Sequence, residues 1–140
     1  MRFCLLFSLL VFACNPSKHT TIDPPKNTGN CQQITNKPDF RDIRKDPYQL
    51  LSTNLVGDCL ELKVTYSGGC EGARFELFYK QATDLREPSV HVLLGFTDED
   101  HCRSIVEKSL LFDLTPIQHK NQNKVQLILD GQAEPILYTY

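Results

Sequence analysis

From Tyr48 onward, apolar residues recur at every second position. Leu60, Leu62, Val64 and Tyr66 alternate with Glu61, Lys63 and Thr65. Phe75, Leu77 and Tyr79 alternate with Arg74, Glu76 and Lys80, and Val90, Val92, Leu94 and Phe96 form a third face with His91 opposite. Leu50–Val56 precedes these runs; Val125, Leu127 and Leu129, then Ile136, Tyr138 and Tyr140, follow them. Period two is the signature of a half-buried strand. Between Ile105 and Leu114, Val106, Leu110, Phe112 and Leu114 share a parity that Lys108 breaks. That break predicts a bulge or an edge position. Gly57-Asp58, Ser67-Gly68-Gly69 and Asp130-Gly131 punctuate the runs as turns. Seven short strands without helical periodicity predict an antiparallel, immunoglobulin-like β-sandwich over residues 48–140, with a small β-barrel as the alternative. Phe78, Leu93 and Leu111 fall on the polar faces, marking either an apolar binding patch or side chains covered by a loop.

Upstream the pattern disappears. Residues 15–30 are mostly Pro, Thr, Asn and Lys, with Ile22 the sole aliphatic residue. Such a segment behaves as a flexible spacer of roughly 20–25 Å. Residues 32–47 are largely polar, with Phe40 and Ile43 among the few sizeable apolar side chains, and Asp39–Arg44 offers one helical turn at most. Residues 14–47 therefore read as a tether. Ahead of it, Arg2 and the apolar run Phe3–Phe12 make residues 1–13 a secretion signal. The run is about half the roughly 20 residues that a spanning helix needs.

Val11-Phe12-Ala13-Cys14 resembles the bacterial lipobox. The resemblance implies cleavage before Cys14 and lipid on its sulfur, since a thiol takes the diacylglyceryl thioether and a small preceding residue admits the peptidase. An amide-linked chain such as palmitate supplies the second acyl group that stable anchoring requires. Asn15 is not the aspartate that retains enteric lipoproteins in the inner membrane, and no acidic run follows Cys14. By that likeness the expected location is the outer membrane, facing the periplasm, with the membrane itself a partner through the lipid. An ordinary secretory signal is the alternative.

Composition adds two constraints. Fifteen basic against seventeen acidic residues give a net charge of −2, with no electrostatic footprint for nucleic acid. Six cysteines accompany no tryptophan and one methionine. Cys4 leaves with the signal and Cys14 carries lipid, so Cys31, Cys59, Cys70 and Cys102 remain. An even count in an exported chain implies disulfides. Each of the possible pairings closes loops worth about 7–8 kcal/mol in total, so loop entropy does not choose among them. Position does. Cys70 lies in the turn after one strand and Cys102 at the start of another, while Cys31 ends the tether and Cys59 enters a strand. The expected pairs are Cys70–Cys102 and Cys31–Cys59.

Four short segments share one further likeness. Tyr66-Ser67-Gly68-Gly69-Cys70, Phe75-Glu76-Leu77, Asp100-His101-Cys102 and Phe112-Asp113-Leu114-Thr115-Pro116 resemble a group of small lipoproteins of Bacteroidota with no assigned activity. The likeness spans roughly residues 55–130. It implies a histidine a few residues after the Ser-Gly-Gly-Cys turn, where this chain has Gly72-Ala73. No ligand role is carried over from it.

The remaining chemistry is sparse. Cys70, His91, His101 and Cys102 are suitable zinc or copper ligands, but no C-x-x-C or H-x-x-x-H spacing joins them. His101 and Cys102 are neighbours, which point to opposite faces of a strand. A structural disulfide with exposed histidines is the expectation, with no metal and no cofactor. Asp98-Glu99-Asp100 offers oxygens for calcium but lacks the glycine and ligand spacing of a calcium loop. A solvated turn tip is expected there. Glycoside hydrolysis lacks a tryptophan sugar platform. No Gly-x-Ser-x-Gly elbow or phosphate-binding loop is present. The expected function is therefore non-catalytic: an anchored binding or structural module for an envelope protein or ligand. The alternatives are a metal- or thiol-active periplasmic protein and a small hydrolase inhibitor.

Overall fold

The computed structural model describes residues 31–82 and 87–140. The signal segment, Cys14 and residues 15–30 of the tether lie outside the described residues. The strands are β1 (Thr35–Asn36), β2 (Tyr48–Val56), β3 (Cys59–Gly68), β4 (Ala73–Gln81), β5 (Ser89–Asp98), β6 (Ser104–Asp113), β7 (Lys124–Leu129) and β8 (Ile136–Thr139). They form a five-stranded sheet, β1-β4-β5-β7-β8, and a three-stranded sheet, β2-β3-β6. Two separate sheets make a sandwich rather than a barrel.

The alternation decides which faces meet. Leu60, Leu62 and Val64 of β3, Leu77 of β4, Val90, Val92, Leu94 and Phe96 of β5 and Leu127 of β7 are almost fully buried in one core. Aromatic rings fill the space between the sheets at one end. Phe75 and Phe96 face each other across β4 and β5 and stack at 4.2 Å. Tyr66 of the opposite sheet meets both rings edge-on at 5.3 and 5.2 Å, and Tyr48 does so at 6.2 and 6.1 Å. Edge-to-face contact lets the electropositive ring edges meet the faces of the stacked pair.

Two pairings correct the antiparallel expectation: β1 runs parallel to β4, and β5 to β7. Connectivity is the reason for the second. β6 lies between β5 and β7 in sequence but belongs to the other sheet. The chain thus crosses the core twice and returns beside β5 in the same direction. Lys108 marks an edge, since β6 pairs only with β3 and keeps unbroken register from Ser104 to Asp113. The register irregularity falls in β2 instead, between Leu50 and Ser52.

The larger correction concerns residues 31–47, expected as the end of the tether. They form a strap across the sandwich. Gln32 bridges β6 at Phe112, β1 adds to β4, and Lys45 bridges β5 at Phe96. A tight turn closed by Ile43 N–H to the Phe40 carbonyl (3.2 Å) stands where a helical turn was expected. The side chains beneath explain the strap. A Cβ on Gly95 would come within 2.9 Å of Ile43 and 2.8 Å of Phe78, so strap and sheet are in contact there. The Lys37 ammonium sits 5.7 Å from the Phe78 ring, and the Lys80 ammonium 4.7 Å from the Phe40 ring. Leu93 is 3% exposed. Phe78 thus lies against the strap with the buried Leu93 opposite it in register, and the folded unit includes Cys31–Pro47.

All long strands run between two poles. At the entry pole, where the described chain begins, the Gly57-Asp58 turn meets the carboxyl end of the chain. Tyr138 donates to the Asp58 carboxylate at 2.8 Å and accepts from the Gln118 amide at 2.6 Å. Gln118 follows a short 3-10 turn, Thr115–Ile117, that begins with Pro116 near its start and with the Thr115 N–H bonded to the Asp113 carboxylate (2.9 Å). Burial, reinforced by the nearby Asp58, pushes the Tyr138 phenol well above its usual range. Tyr138 and Asp58 belong to opposite sheets, so their bond closes the pole.

Tyr138→Phe should therefore cost about 1–3 kcal/mol, because Asp58 loses one of its donors and Gln118 one of its acceptors in a buried site, although the two stay bonded to each other. Urea denaturation should show a lower midpoint with an unchanged slope.

Candidate functional site

The chemistry-bearing residues singled out by sequence gather at the far pole. There the β3–β4 turn, residues 67–72, faces the β5–β6 turn, residues 99–103. Cys70 and Cys102 are disulfide-bonded across them, with Cα atoms 5.8 Å apart. Cys31 is bonded to Cys59 at the entry pole, with Cα atoms 6.2 Å apart. Both are the expected pairs.

Asp100 accounts for much of the local geometry. Its Oδ2 accepts the Cys70 N–H and its Oδ1 the Cys102 N–H, both at 2.8 Å. One carboxylate therefore holds the backbone on both sides of the disulfide. The Cys102 N–H is the leading influence that keeps the Asp100 carboxyl below the usual carboxylate range, with further contributions from Cys70, Gly69 and the nearby His101. The relay continues outward. Asp98 accepts the Asp100 N–H at 2.8 Å, and Asp46 accepts the Asp98 N–H at 2.6 Å. That bond and the Arg44 guanidinium, 2.8 Å away, lower Asp46 as well. The strap is thereby tied into the far pole.

The glycines follow from this closeness. A Cβ on Gly68 would stand 2.9 Å from the Tyr66 ring and 3.1 Å from the Asp100 carboxylate. Gly72 has φ +106° and would press a Cβ to 3.1 Å from the Glu99 backbone. Here the Ser-Gly-Gly-Cys segment is a turn that admits a carboxylate.

Cys70, Cys102 and Asp100 offer ligand atoms within 4.8 Å of one another. The two sulfurs are bonded to each other, and both Asp100 oxygens already accept backbone N–H groups. The cluster as it stands binds its own turns. His101 is exposed beside Cys102, while His91 lies half-buried on the outer face of β5, between Lys80 and Ile128 in register. The strand between them spans roughly 20 Å. The metal-ligand grouping considered from sequence is not assembled. The acidic turn is likewise a set of backbone acceptors rather than a free tip. Sequence reasoning missed the roles of Asp46 and Asp100, although an Asp two residues before a turn residue commonly accepts its N–H.

Beside this pole runs a shallow groove of about 440 Å³, lined by Pro47, Tyr48, Gln49, Thr65, Tyr66, Ser67 and Ile105. Ile105 is 86% exposed, the highest value among the large exposed apolar residues of the described chain.

Fold and site together define an all-β sandwich whose poles are stapled by disulfides. No family model matches the chain, and no curated protein does. Two solved structures share the fold. A NigD-like immunity protein from Bacteroides caccae is similar with a TM-score of 0.59 and 14% identity, over 77% of this chain and 58% of its own. A protein of unknown function, DUF1344, from Bacteroides vulgatus is similar with a TM-score of 0.55 and 14% identity, over 79% of this chain and 56% of its own. The present chain thus spans less than three fifths of either neighbour. Both neighbours come from Bacteroides, in keeping with the likeness to Bacteroidota proteins noted from sequence.

Asp100→Asn should loosen the far pole and change its acid response. The folded state holds the Asp100 carboxyl below its ordinary value of 3.8, so its contribution is complete above that pH. It is lost as pH falls through the lower folded value. The variant should be less stable than wild type at neutral pH. It should also lose less further stability between about pH 4 and about pH 2. Thermal melts across that range supply the measurement.

Proposed function

We propose that the chain is an exported, lipid-anchored and non-catalytic binding module of the outer membrane, facing the periplasm. The observation that carries this reading is the use made of its reactive side chains. Four cysteines are spent on two disulfides, and the acidic turn holds backbone. Disulfides of this kind persist in oxidising compartments outside the cytosol. Each closes about 30 residues, worth about 3.5 kcal/mol in the chain-entropy account, which suits a small sandwich. The Val11-Phe12-Ala13-Cys14 run supports lipid attachment at Cys14. The thiol-active alternative begins from free thiols, whereas both pairs are bonded.

A second reading is favoured by the Bacteroides caccae neighbour, which is described as a NigD-like immunity protein. An immunity role is itself non-catalytic and fits the same scaffold. It predicts that deleting the gene sensitises the producing strain to killing, a phenotype the general module does not require.

Intact mass spectrometry of protein purified from membranes tests the anchor. The expected species begins at Cys14, carries acyl groups and gains 4 Da on reduction, about 1 Da for each of four thiols. Cys14→Ser should abolish acylation and move the chain to the soluble fraction with both disulfides intact. An unprocessed wild-type chain with reduced thiols would overturn the proposal.

A further inference from the structure

The sandwich protects its strand edges unequally. β4 is capped by β1 and the Lys37 N–H, β2 carries the irregularity between Leu50 and Ser52, and β8 is four residues long. β6 is ten residues long, keeps unbroken register, pairs among the strands only with β3, and carries one inward-parity cation, Lys108, at its open margin. Unpaired N–H and C=O groups on such an edge form a template for another strand.

One rung of that template is already filled. Gln32 donates to the Leu111 carbonyl at 2.7 Å and accepts the Asp113 N–H at 2.8 Å. These bonds fix which residues of β6 face outward along the edge. Because strand residues alternate, Ile105, Glu107 and Ser109 direct their backbone groups the same way as Leu111 and Asp113. Among the described residues, none pairs with that stretch. Their side chains lie on the outer face of the sheet, where Ile105 is 86% exposed and Glu107 meets Lys63 at 3.0 Å.

We infer that the edge of β6 from Ser104 to Leu110 is a docking site for an extended segment of a partner protein, which continues the ladder that Gln32 begins. The inference deepens the binding-module reading and rests on it. Charge selects the occupant. Lys108 has the parity of the core-facing Val106 and Leu110, yet is exposed at the open margin. A purely apolar strand would leave that ammonium beside apolar side chains, and symmetric self-pairing centred on 107 or 108 would oppose Glu107 to Glu107 or Lys108 to Lys108. Like charges placed directly opposite destabilise a strand pair. The fitting segment carries an apolar residue against Ile105 on one face and a carboxylate near Lys108 on the other. Main-chain bonds would supply affinity and these two contacts the choice of partner.

The test uses the full-length chain in its own envelope, with Ser109→benzoylphenylalanine as the photoreactive probe and Leu137→benzoylphenylalanine, on β8, as control. Glu107→Pro removes an outward N–H that the β3 ladder does not use, a substitution that edge strands tolerate. Glu107→Ala removes the side chain alone. The expected result is one cross-linked protein at position 109, at least fivefold weaker with Glu107→Pro and within twofold of the parent with Glu107→Ala. Lys108→Glu should also weaken it at least fivefold. Intact disulfides and an unchanged melting temperature verify the fold of each variant, and Ile105→Pro replaces Glu107→Pro if the latter is unfolded. Equal cross-linking with Pro and Ala overturns strand addition. A product of twice the chain's own mass overturns the choice of partner, and no product at 109 overturns the site. A product at 137 alone would sink the β6 site while leaving the binding-module reading standing.

Discussion

Each pole of this sandwich is closed by an aspartate beside a disulfide, and the rest of the structure depends on that pairing. A sandwich of this size has a single core layer, and burial alone leaves such small domains marginal. The sheets also splay unless something spans their ends. At the entry pole Asp58, next to the Cys31–Cys59 bond, accepts the Tyr138 hydroxyl from the opposite sheet. At the far pole Asp100, beside the Cys70–Cys102 bond, accepts N–H groups from two turns. The covalent bond limits how far the elements can separate. The Asp100 carboxylate satisfies backbone donors of two turns, and the Asp58 carboxylate the side-chain donors of Tyr138 and Gln118.

This division of labour explains what could be read from the sequence. The strand faces were legible because burial on one side writes itself as period two. Leu60, Leu62 and Val64 alternate so regularly that no other element fits. The cysteine pairing was legible because each cysteine sits at a strand end. The strap was not, because it is held by isolated backbone bridges at Gln32 and Lys45 and by three unperiodic apolar residues, Ile34, Phe40 and Ile43. Its signal lay elsewhere, in Phe78 and Leu93 on a face that should have been polar. The parallel β5–β7 pair was hidden because periodicity records which way a side chain faces, never which strand lies alongside. Asp100 read as a solvated acid because one of its donors comes from a turn thirty residues away, while only the other is local.

The same geometry bears on the anchored reading. A chain held to a membrane from its amino terminus enters the sandwich at Cys31. The bond to Cys59 ties that entry to the first residue of β3, the central strand of its sheet. A pull on the tether then reaches a core strand directly, and the bridges that hold the strap are spared. On that reading the far pole, with the exposed start of β6, lies at the end of the sandwich opposite to the anchored entry.

That polarity separates structure from recognition within a small chain. The entry pole spends its polar groups on closure: Asp58, Gln118 and Tyr138 satisfy one another, and His119 N–H is bonded to the Tyr140 hydroxyl at 2.9 Å. The far pole satisfies its backbone through Asp46, Asp98 and Asp100. Beside those turns lie apolar and main-chain groups: Ile105, the groove beside Tyr48 and Tyr66, and the outward N–H and C=O groups of β6. Groups of that kind recognise the shape and backbone of a protein chain better than they bind a small ion or polarise a substrate. On the proposed binding reading these are the groups a partner would meet, and the Cys70–Cys102 bond limits how far the turns beside them can move.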